Sequence, residues 1–363
     1  MSPAPLAGFI RRHRRTAARA GLLVALGASV GCRATTAPAP ADPLGQFDGF
    51  WAAFDKDYPY FAFKQIDWDS MRAAYRPLAE TAPTTDSLVT LLRAMTSPLR
   101  DVHLSFTSPT GAFVPSWTPP ARRNWDLTRW QGAVAAHAWV QRKPNLGTAA
   151  FDDVGYLSIG SWNGANFSVT DLDDALAAVR DRRALIIDVR ANGGGNDALA
   201  FAFAARLSTT TIAAGSVRYR SGAGLGSAQA RTIAPRGPWA FTKPIVLLVG
   251  RGCYSSNESF IAALATLPHV TVMGDTTGGG SGNPAEHALG GGWRYRVPRW
   301  IEYAPDGRII EWNGLVPDVV VPWDTTGLAP TRDPVLEAAV AYLAPPGSAE
   351  GGAHLRAAGI RER

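Results

Sequence analysis

A candidate nucleophile lies in the segment Gly252-Cys253-Tyr254-Ser255-Ser256-Asn257-Glu258, which follows an apolar run at residues 244–250. The run predicts a buried strand and the residues after it a helix, so Ser255 is expected at a strand-to-helix turn. A hydroxyl held there faces the positive end of the helix, which favours developing negative charge. The segment therefore predicts either a nucleophilic serine or, because Ser often caps helices, N-capping residues only.

A second turn of interest is Asp188-Val189-Arg190-Ala191-Asn192-Gly193-Gly194-Gly195, which follows the apolar residues 184–187. Glycines at such a turn expose backbone N–H groups, which suit an oxyanion hole or a phosphate site. A P-loop would need Gly-Lys-Ser/Thr, and no Lys follows; the Gly-x-Gly-x-x-Gly dinucleotide spacing is also missing. The turn is therefore expected to bind an oxyanion or simply to close a tight connection.

The elements around both turns alternate between strand and helix patterns. Apolar runs predict strands and amphipathic segments predict helices, in the order 155–159, 170–180, 184–189, 198–207, 244–250, 256–267 and 270–273. Such alternation predicts a layered α/β core. Before it, apolar residues at helical spacing predict a small helical unit, with a helix from residue 67 that stops before Pro77. That unit ends in an alternating stretch, 102–106, expected to be a strand that carries His103.

These pieces resemble a known family. The two turns, together with Leu99-Arg100-Asp101-Val102-His103, Gly274-Asp275-Thr276-Thr277-Gly278-Gly279 and Glu311-Trp312-Asn313-Gly314-Leu315-Val316-Pro317-Asp318, are similar in type and order to the C-terminal-processing and tricorn-core serine peptidases. The resemblance covers about residues 47–343. It implies a ClpP/crotonase-like layered core and a serine-type endopeptidase acting on peptides or proteins, with no metal and no cofactor.

The resemblance also implies residue roles. Ser255 matches the nucleophile, and the oxyanion donors are the backbone N–H of Ser256 and that of a glycine in the Gly193–Gly194 turn. All four lysines (Lys56, Lys64, Lys143 and Lys243) precede Ser255, so the Ser/Lys dyad of the processing branch is excluded. The stretch 109–150 is also too short for that branch's PDZ domain.

The PDZ-less, tricorn-like branch instead implies His103 as the general base and Glu311 as the carboxylate that orients it. Val102 stands where that branch has a Ser, so Asp101 and Ser105 are alternative partners for His103. Cys253 is expected to be an inert buried thiol rather than a nucleophile. The other histidines lie outside the matched motifs.

The N-terminus has the pattern of an export signal. Four arginines at positions 11–15 precede an apolar stretch from 20 to 31, which is too short to span a bilayer, since spanning needs roughly 20 apolar residues. Cys32 follows Ser29-Val30-Gly31 and resembles the lipidated Cys of a lipobox, although Ser29 stands where Leu is usual. We expect an exported lipoprotein, anchored through Cys32 and facing the periplasm or cell exterior, with an ordinary secreted protein as the alternative.

Composition excludes several other classes. Without residues 1–31, which hold five Arg and no acid, the formal net charge falls from +6 to +1, so no nucleic-acid-binding surface is expected. Two Cys exclude a disulfide framework, and no zinc pattern is present. The predicted organisation is a signal peptide (1–31), an Ala/Thr/Pro tether (32–44), a helical domain (45–108), a linker of short strands and loops (109–150), the peptidase core (151–345) and a flexible tail (346–363).

Two alternatives from other functional classes share the fold that the resemblance implies. They are a non-catalytic binder of apolar ligands or peptides, and a crotonase-like acyl-CoA enzyme. Ser255, His103 and the glycine turn together favour the peptidase, since a binder need not keep all three. Export to a compartment without acyl-CoA disfavours the crotonase-like acyl-CoA enzyme.

Overall fold

A computed structural model describes residues 42–120 and 123–345, which lie in one compact unit. The predicted signal peptide, Cys32, most of the tether and the tail at 346–363 lie outside the described residues. Within the described ranges, no helix is both long enough and apolar enough to cross a membrane.

The N-terminal part is helical, as predicted. Its elements are α1 (Pro43–Asp57), α2 (Phe61–Lys64), α3 (Trp68–Glu80), α4 (Thr85–Thr96) and a 3₁₀ turn (Ser97–Leu99). The side chains of Asp42, Asp67 and Thr84 cap α1, α3 and α4 by accepting backbone N–H groups of the first turn. Buried apolar residues at helical spacing join these helices in one core: Phe47, Phe50, Phe54, Leu88, Leu92 and Met95.

Helix α3 does not stop before Pro77, contrary to the sequence prediction. Pro77 lies inside the helix, and α3 continues to Glu80. A proline removes one backbone donor and disfavours the helical interior. Ala79, beyond the proline, is fully buried against the aromatic core of this part, and this packing favours one further helical turn.

A seven-stranded sheet forms the centre of the second part, with the strand order β15-β11-β10-β6-β5-β4-β3. The strands are β3 (Val140–Lys143), β4 (Leu146–Phe151), β5 (Val154–Ile159), β6 (Ala184–Asp188), β10 (Ile245–Val249), β11 (Val270–Gly274) and β15 (Val319–Val320). From β5 to β15 neighbouring strands are parallel, whereas β3 and β4 are antiparallel. Strands β6 and β10 are entirely buried, as expected where helices cover both faces.

Helices pack on both sides of this sheet and complete the layered α/β class predicted from the sequence. They are α5 (Leu127–Ala135), α6 (Val169–Ala177), α7 (Asp197–Ala204), α8 (Ser256–Leu264) and α9 (Pro334–Tyr342). Separate buried clusters lie on the two faces. Helix α5 was not predicted; it begins after an Asp126 cap inside the stretch interpreted as strands and loops.

Two smaller sheets border the central one. One has the order β12-β13-β1-β2, and in the other β7 pairs with β14, β8 and β9. Their strands are β1 (Ser105–Thr107), β2 (Phe113–Pro115), β7 (Ile212–Ser221), β8 (Gly224–Leu225), β9 (Gln229–Ile233), β12 (Ala285–Gly290), β13 (Trp293–Val297) and β14 (Trp300–Tyr303). Because β1 pairs with β13, the N-terminal part shares a sheet with residues much later in the chain.

The predicted strand that carries His103 begins later than expected. Val102 and His103 lie in a turn, and β1 starts only at Ser105. Asp101 accounts for the difference, because its side-chain Oδ1 accepts the backbone N–H of His103 (2.9 Å) and so satisfies a donor that a sheet would otherwise bind. The alternation of apolar residues at 102, 104 and 106 therefore predicted a strand wrongly for Val102 and His103.

Candidate active site

Ser255 occupies the turn between β10 and α8, as the sequence predicts. Its φ of 57° and ψ of −131° place a non-glycine residue in a sparsely populated region, a strain of about 1–3 kcal/mol that is typical of functional turns. Its backbone N–H donates to Gly280 O (2.8 Å) and, at longer range, to Glu258 Oε2 (3.3 Å). Ser255 is therefore the N-cap residue of α8, and it also lines a cavity of about 650 Å³.

Glu258 fixes the base of this turn. Its buried carboxylate accepts hydrogen bonds from Thr277 Oγ1 (2.5 Å) and from the backbone N–H groups of Gly279 and Gly280 (2.9 Å each). Burial raises the pKa of Glu258 to about 8, and these hydrogen bonds oppose that rise. The carbonyl oxygen of Gly280 also accepts the backbone N–H of Ser255. The Gly279–Gly280 segment and the nucleophile turn are therefore held together around the Glu258 carboxylate.

The Gly193–Gly194 turn touches the nucleophile turn directly. Gly194 has a φ of +104°, and a Cβ added there would lie 2.8 Å from Ser255 Cβ and 2.8 Å from Tyr254 O. The N–H of Gly194 donates to Asn192 Oδ1 (2.9 Å). Within the described residues, the N–H groups of Gly193 and Ser256 have no acceptor, and these two donors belong to the turns that meet beside Ser255.

His103 lines the same cavity as Ser255. Burial lowers the pKa of His103; the positive charges of Arg296 and Lys64 lower it further, and Asp101 opposes them. The imidazole is therefore neutral at neutral pH and able to accept a proton. Its Nδ1 is buried without a hydrogen-bond partner among the described residues, which leaves Nε2 as the ring nitrogen able to act in the cavity.

Glu311 does not contact the imidazole of His103. Its Oε1 pairs with the ammonium group of Lys64 (2.6 Å), and its Oε2 accepts the backbone N–H of Ser281 (3.1 Å). Burial and the neighbouring Asp101 raise the pKa of Glu311. The alternative Asp101 contacts the backbone of His103 rather than its ring. Ser105 is buried in the cavity wall, and no hydrogen bond joins it to the ring in the described part of the chain.

Sequence reasoning missed a buried carboxylate that lines this cavity. Glu302 on β14 accepts hydrogen bonds from Ser259 Oγ and Ser281 Oγ (2.5 Å each) and from Arg231 Nη1 (3.0 Å). Burial raises the pKa of Glu302, and Arg231 opposes the rise. Ser259 lies four residues after Ser255 on α8, which was the available signal that its side chain shares a face with the nucleophile. Nothing near Glu302 in the sequence marked it.

Another cavity, of about 670 Å³, lies between α5, the β4–β5 turn and α9. Its lining includes Asp153, Arg183 and His137, and the His137 ring stacks on Phe151 with centroids 4.0 Å apart. Among the described residues, no serine and no cysteine line it, so this cavity does not supply the serine of a serine peptidase. Within residues 42–120 and 123–345, no cluster of three or more His, Cys, Asp or Glu could hold a metal ion.

Cys253, next to the nucleophile, is buried, and burial raises the pKa of its thiol well above the usual range. The thiol donates to Val189 O (3.2 Å) beneath the glycine turn. It therefore packs the two turns together, and its raised pKa disfavours the thiolate that a nucleophile would need.

Two family models match the chain. The model of peptidase family S41 matches residues 153–321, and that of the tricorn protease C1 domain matches residues 39–97. The first range contains Ser255 and the glycine turn, and the second contains α1 to α4. His103 lies between the two matched ranges. No curated protein sequence matches the chain.

Solved structures share the fold. A candidate peptidase from Parabacteroides merdae is 26% identical, with a TM-score of 0.75, and the match covers 85% of this chain and 98% of that one. The photosystem II D1 C-terminal processing protease is 17% identical (TM-score 0.51; 80% and 96% covered). The tricorn protease is 15% identical (TM-score 0.54), with 83% of this chain and 36% of that chain covered.

Proposed function

For this chain, which carries a peptidase family S41 domain and a tricorn protease C1 domain, we propose a serine-type endopeptidase that hydrolyses peptide bonds through an acyl-enzyme on Ser255. The S41 domain supports serine peptidase activity in general. The observation that carries the finer assignment is that Ser255, strained at a strand-to-helix turn, shares one cavity with His103 and with the glycine turn.

The proposed reaction follows from these positions. Ser255 Oγ attacks the scissile carbonyl carbon as His103 Nε2 takes its proton, and the tetrahedral oxygen accepts hydrogen bonds from the N–H groups of Gly193 and Ser256. A donor of this kind contributes roughly 10²–10³ in rate. His103 then gives the proton to the leaving amine, which departs and leaves an ester on Ser255. Water, deprotonated by His103, hydrolyses the ester and restores the hydroxyl.

Labelling with a fluorophosphonate probe tests the assignment. Wild type and Ser256→Ala should be labelled, because Ser256 contributes its backbone N–H rather than its hydroxyl, whereas Ser255→Ala should be unlabelled and unable to hydrolyse peptides. Ser255→Ala should melt close to the wild type, whereas Ser256→Ala should melt lower, because it loses the hydrogen bond from Ser256 Oγ to Gly195 O (2.7 Å). Labelling that persists in Ser255→Ala and disappears in Ser256→Ala would reverse the assignment of the two serines.

The polar lining of the cavity bears on the alternative classes. Serines 105, 255, 256, 259 and 281 line it together with charged side chains, including Arg296 and Glu302. An apolar ligand would desolvate these groups without hydrogen bonds in return, which is unfavourable. A peptide, with donors and acceptors along its backbone, suits this lining better.

For the location of the protein we propose export and lipid attachment at Cys32, supported by the order of elements in the N-terminal sequence.

A further inference from the structure

Lys64, at the end of α2, carries a buried ammonium group between two carboxylates. Its Nζ lies 3.1 Å from Asp101 Oδ2 and 2.6 Å from Glu311 Oε1, and the three side chains are 0%, 0% and 1% exposed. The rings of Tyr58, Tyr60 and Trp312 surround it at 5.0–5.6 Å. Burying such charges is expensive, and a buried ion pair is weak evidence of a stabilising role. The cluster therefore calls for another explanation.

The contacts of this cluster reach two walls of the catalytic cavity. On one side, Asp101 Oδ2 also accepts the hydroxyl of Tyr58 (2.8 Å), and Asp101 Oδ1 accepts the backbone N–H of His103 (2.9 Å). On the other side, Glu311 Oε2 accepts the backbone N–H of Ser281 (3.1 Å). His103 and Ser281 both line the cavity. Lys64 is thus the shared partner of the two carboxylates that hold these backbone segments.

The hydroxyl of Tyr60 strengthens the second connection, since it donates to the carbonyl oxygen of Ser281 (3.0 Å). Tyr58, Tyr60 and Lys64 all belong to the short segment around α2, within the range matched by the tricorn protease C1 domain. The N-terminal helices therefore support the backbone on two sides of the cavity, although Lys64 itself does not line it.

The geometry points to Lys64 as a positioning residue for the general base. Through Asp101 and Glu311 it holds the His103 turn and the Ser281 segment where the reaction of Ser255 needs them. This inference rests on the proposed function, because it takes His103 as the base. It also assigns the matched Glu311 to the support of the cavity wall rather than to direct contact with the imidazole.

The charge of Lys64 gives a readout that packing alone would not. Asp101, Lys64 and Arg296 are the charged groups that act on the His103 imidazole; Lys64 and Arg296 lower its pKa and Asp101 raises it. Removing the positive charge should therefore raise the pKa of His103. An arginine at position 64 keeps the charge and should keep the wild-type value.

The experiment measures the second-order rate constant of labelling by an alkyl fluorophosphonate from about pH 5 to pH 9. In Lys64→Met we expect the rate constant at the pH optimum to fall roughly 10- to 100-fold, as for a misplaced catalytic group. We also expect the midpoint of its acid limb to move upward. Lys64→Arg should restore the midpoint and at least part of the rate.

Arg206→Met is the matched control. Arg206 is also a buried cation, 5% exposed and 3.3 Å from Asp173, but it does not line the cavity. It should lose thermal stability with an unchanged midpoint. A cooperatively melting Lys64→Met with the wild-type rate, or with a reduced rate and the wild-type midpoint, would overturn the proposal.

If Lys64→Met does not melt cooperatively, Tyr58→Phe decides, because it removes only the hydroxyl that donates to Asp101. A reduced rate constant in this variant supports the proposal, and a wild-type rate constant contradicts it. Labelling must first disappear in Ser255→Ala. If it does not, the proposed function has failed, and that failure is distinct from a failure of the Lys64 assignment.

Discussion

The proposed mechanism depends on a neutral His103 imidazole. A half-buried histidine between two cations and one carboxylate has a pKa below the usual 6.5, with burial as the main cause. A base with a lowered pKa is a weaker proton acceptor, but it is fully available at neutral pH. Because no hydrogen bond fixes Nδ1 within the described part of the chain, the orientation of the ring depends on the turn that carries it.

We predict that His103→Ala lowers kcat by roughly 10²–10⁴-fold with KM little changed, because proton transfer is needed only in the transition state. In the wild type, kcat/KM should fall as the pH decreases through the pKa of His103, so the midpoint of the acid limb should lie below 6.5. Peptide hydrolysis measured across this range checks both. A kcat/KM without an acid limb between about pH 4 and pH 9 would argue against an imidazole base.

The contact between the glycine turn and the nucleophile gives a second prediction at the residue scale. In Gly194→Ala the new Cβ would meet Ser255 Cβ and Tyr254 O at 2.8 Å, at a φ that side chains rarely adopt. We expect a loss of about 1–3 kcal/mol in the free energy of unfolding, with displacement of Ser255 and slower fluorophosphonate labelling.

Gly193→Ala is the control for this loss of stability. No atom lies within 4 Å of its added Cβ, and its φ is not positive. Its free energy of unfolding should stay within about 0.5 kcal/mol of the wild type. Equal destabilisation of the two variants in urea unfolding would mean that the turns do not touch as the structure has them.

At the scale of elements, the sequence predicted the parts whose side chains follow one period. Strands β5, β6, β10 and β11 and helices α6, α7 and α8 lie within a few residues of their predicted bounds, because buried parallel strands form continuous apolar runs. Helix α5 was missed because its Trp and Gly residues blur the helical period. The start of β1 was wrong because a side chain, Asp101, replaced the sheet as hydrogen-bond partner.

The residues of the candidate site also differ in how well the sequence could predict them. Ser255, the glycine turn and His103 were predicted from motifs, since each lies at a turn whose local sequence is distinctive, and the structure places all three at one cavity. Glu302 and Lys64 could not be predicted from local motifs, because the residues that they contact are distant in sequence. Lys64 pairs with a residue 247 positions away. For Lys64, its place directly after the aromatic run Tyr58-Pro59-Tyr60-Phe61-Ala62-Phe63 was a signal of burial but not of its partners.

At the scale of the whole molecule, the N-terminal helices and the α/β core combine in building one cavity. Strand β1 joins β13 by backbone hydrogen bonds, and Lys64 joins Asp101 and Glu311 by charge. The segment before α1 therefore connects the unit that contains this cavity to the N-terminal residues of the chain. In the sequence, that connection is the predicted Ala/Thr/Pro tether, whose composition offers few large apolar side chains.

The last prediction concerns Cys32, which lies outside the described residues. If Cys32 carries lipid, Cys32→Ser should release the enzyme into the soluble fraction or block its processing. Fluorophosphonate labelling of Ser255 should stay unchanged, because the described residues that line the cavity lie between positions 102 and 302. A single acyl chain binds a bilayer only marginally, so stable attachment requires more than one chain on the modified Cys32. Cell fractionation with mass spectrometry of the mature N-terminus measures both. Wild-type protein in the soluble pool, with an unmodified N-terminus directly after Gly31, would identify an ordinary secretory signal, in agreement with the serine at position 29.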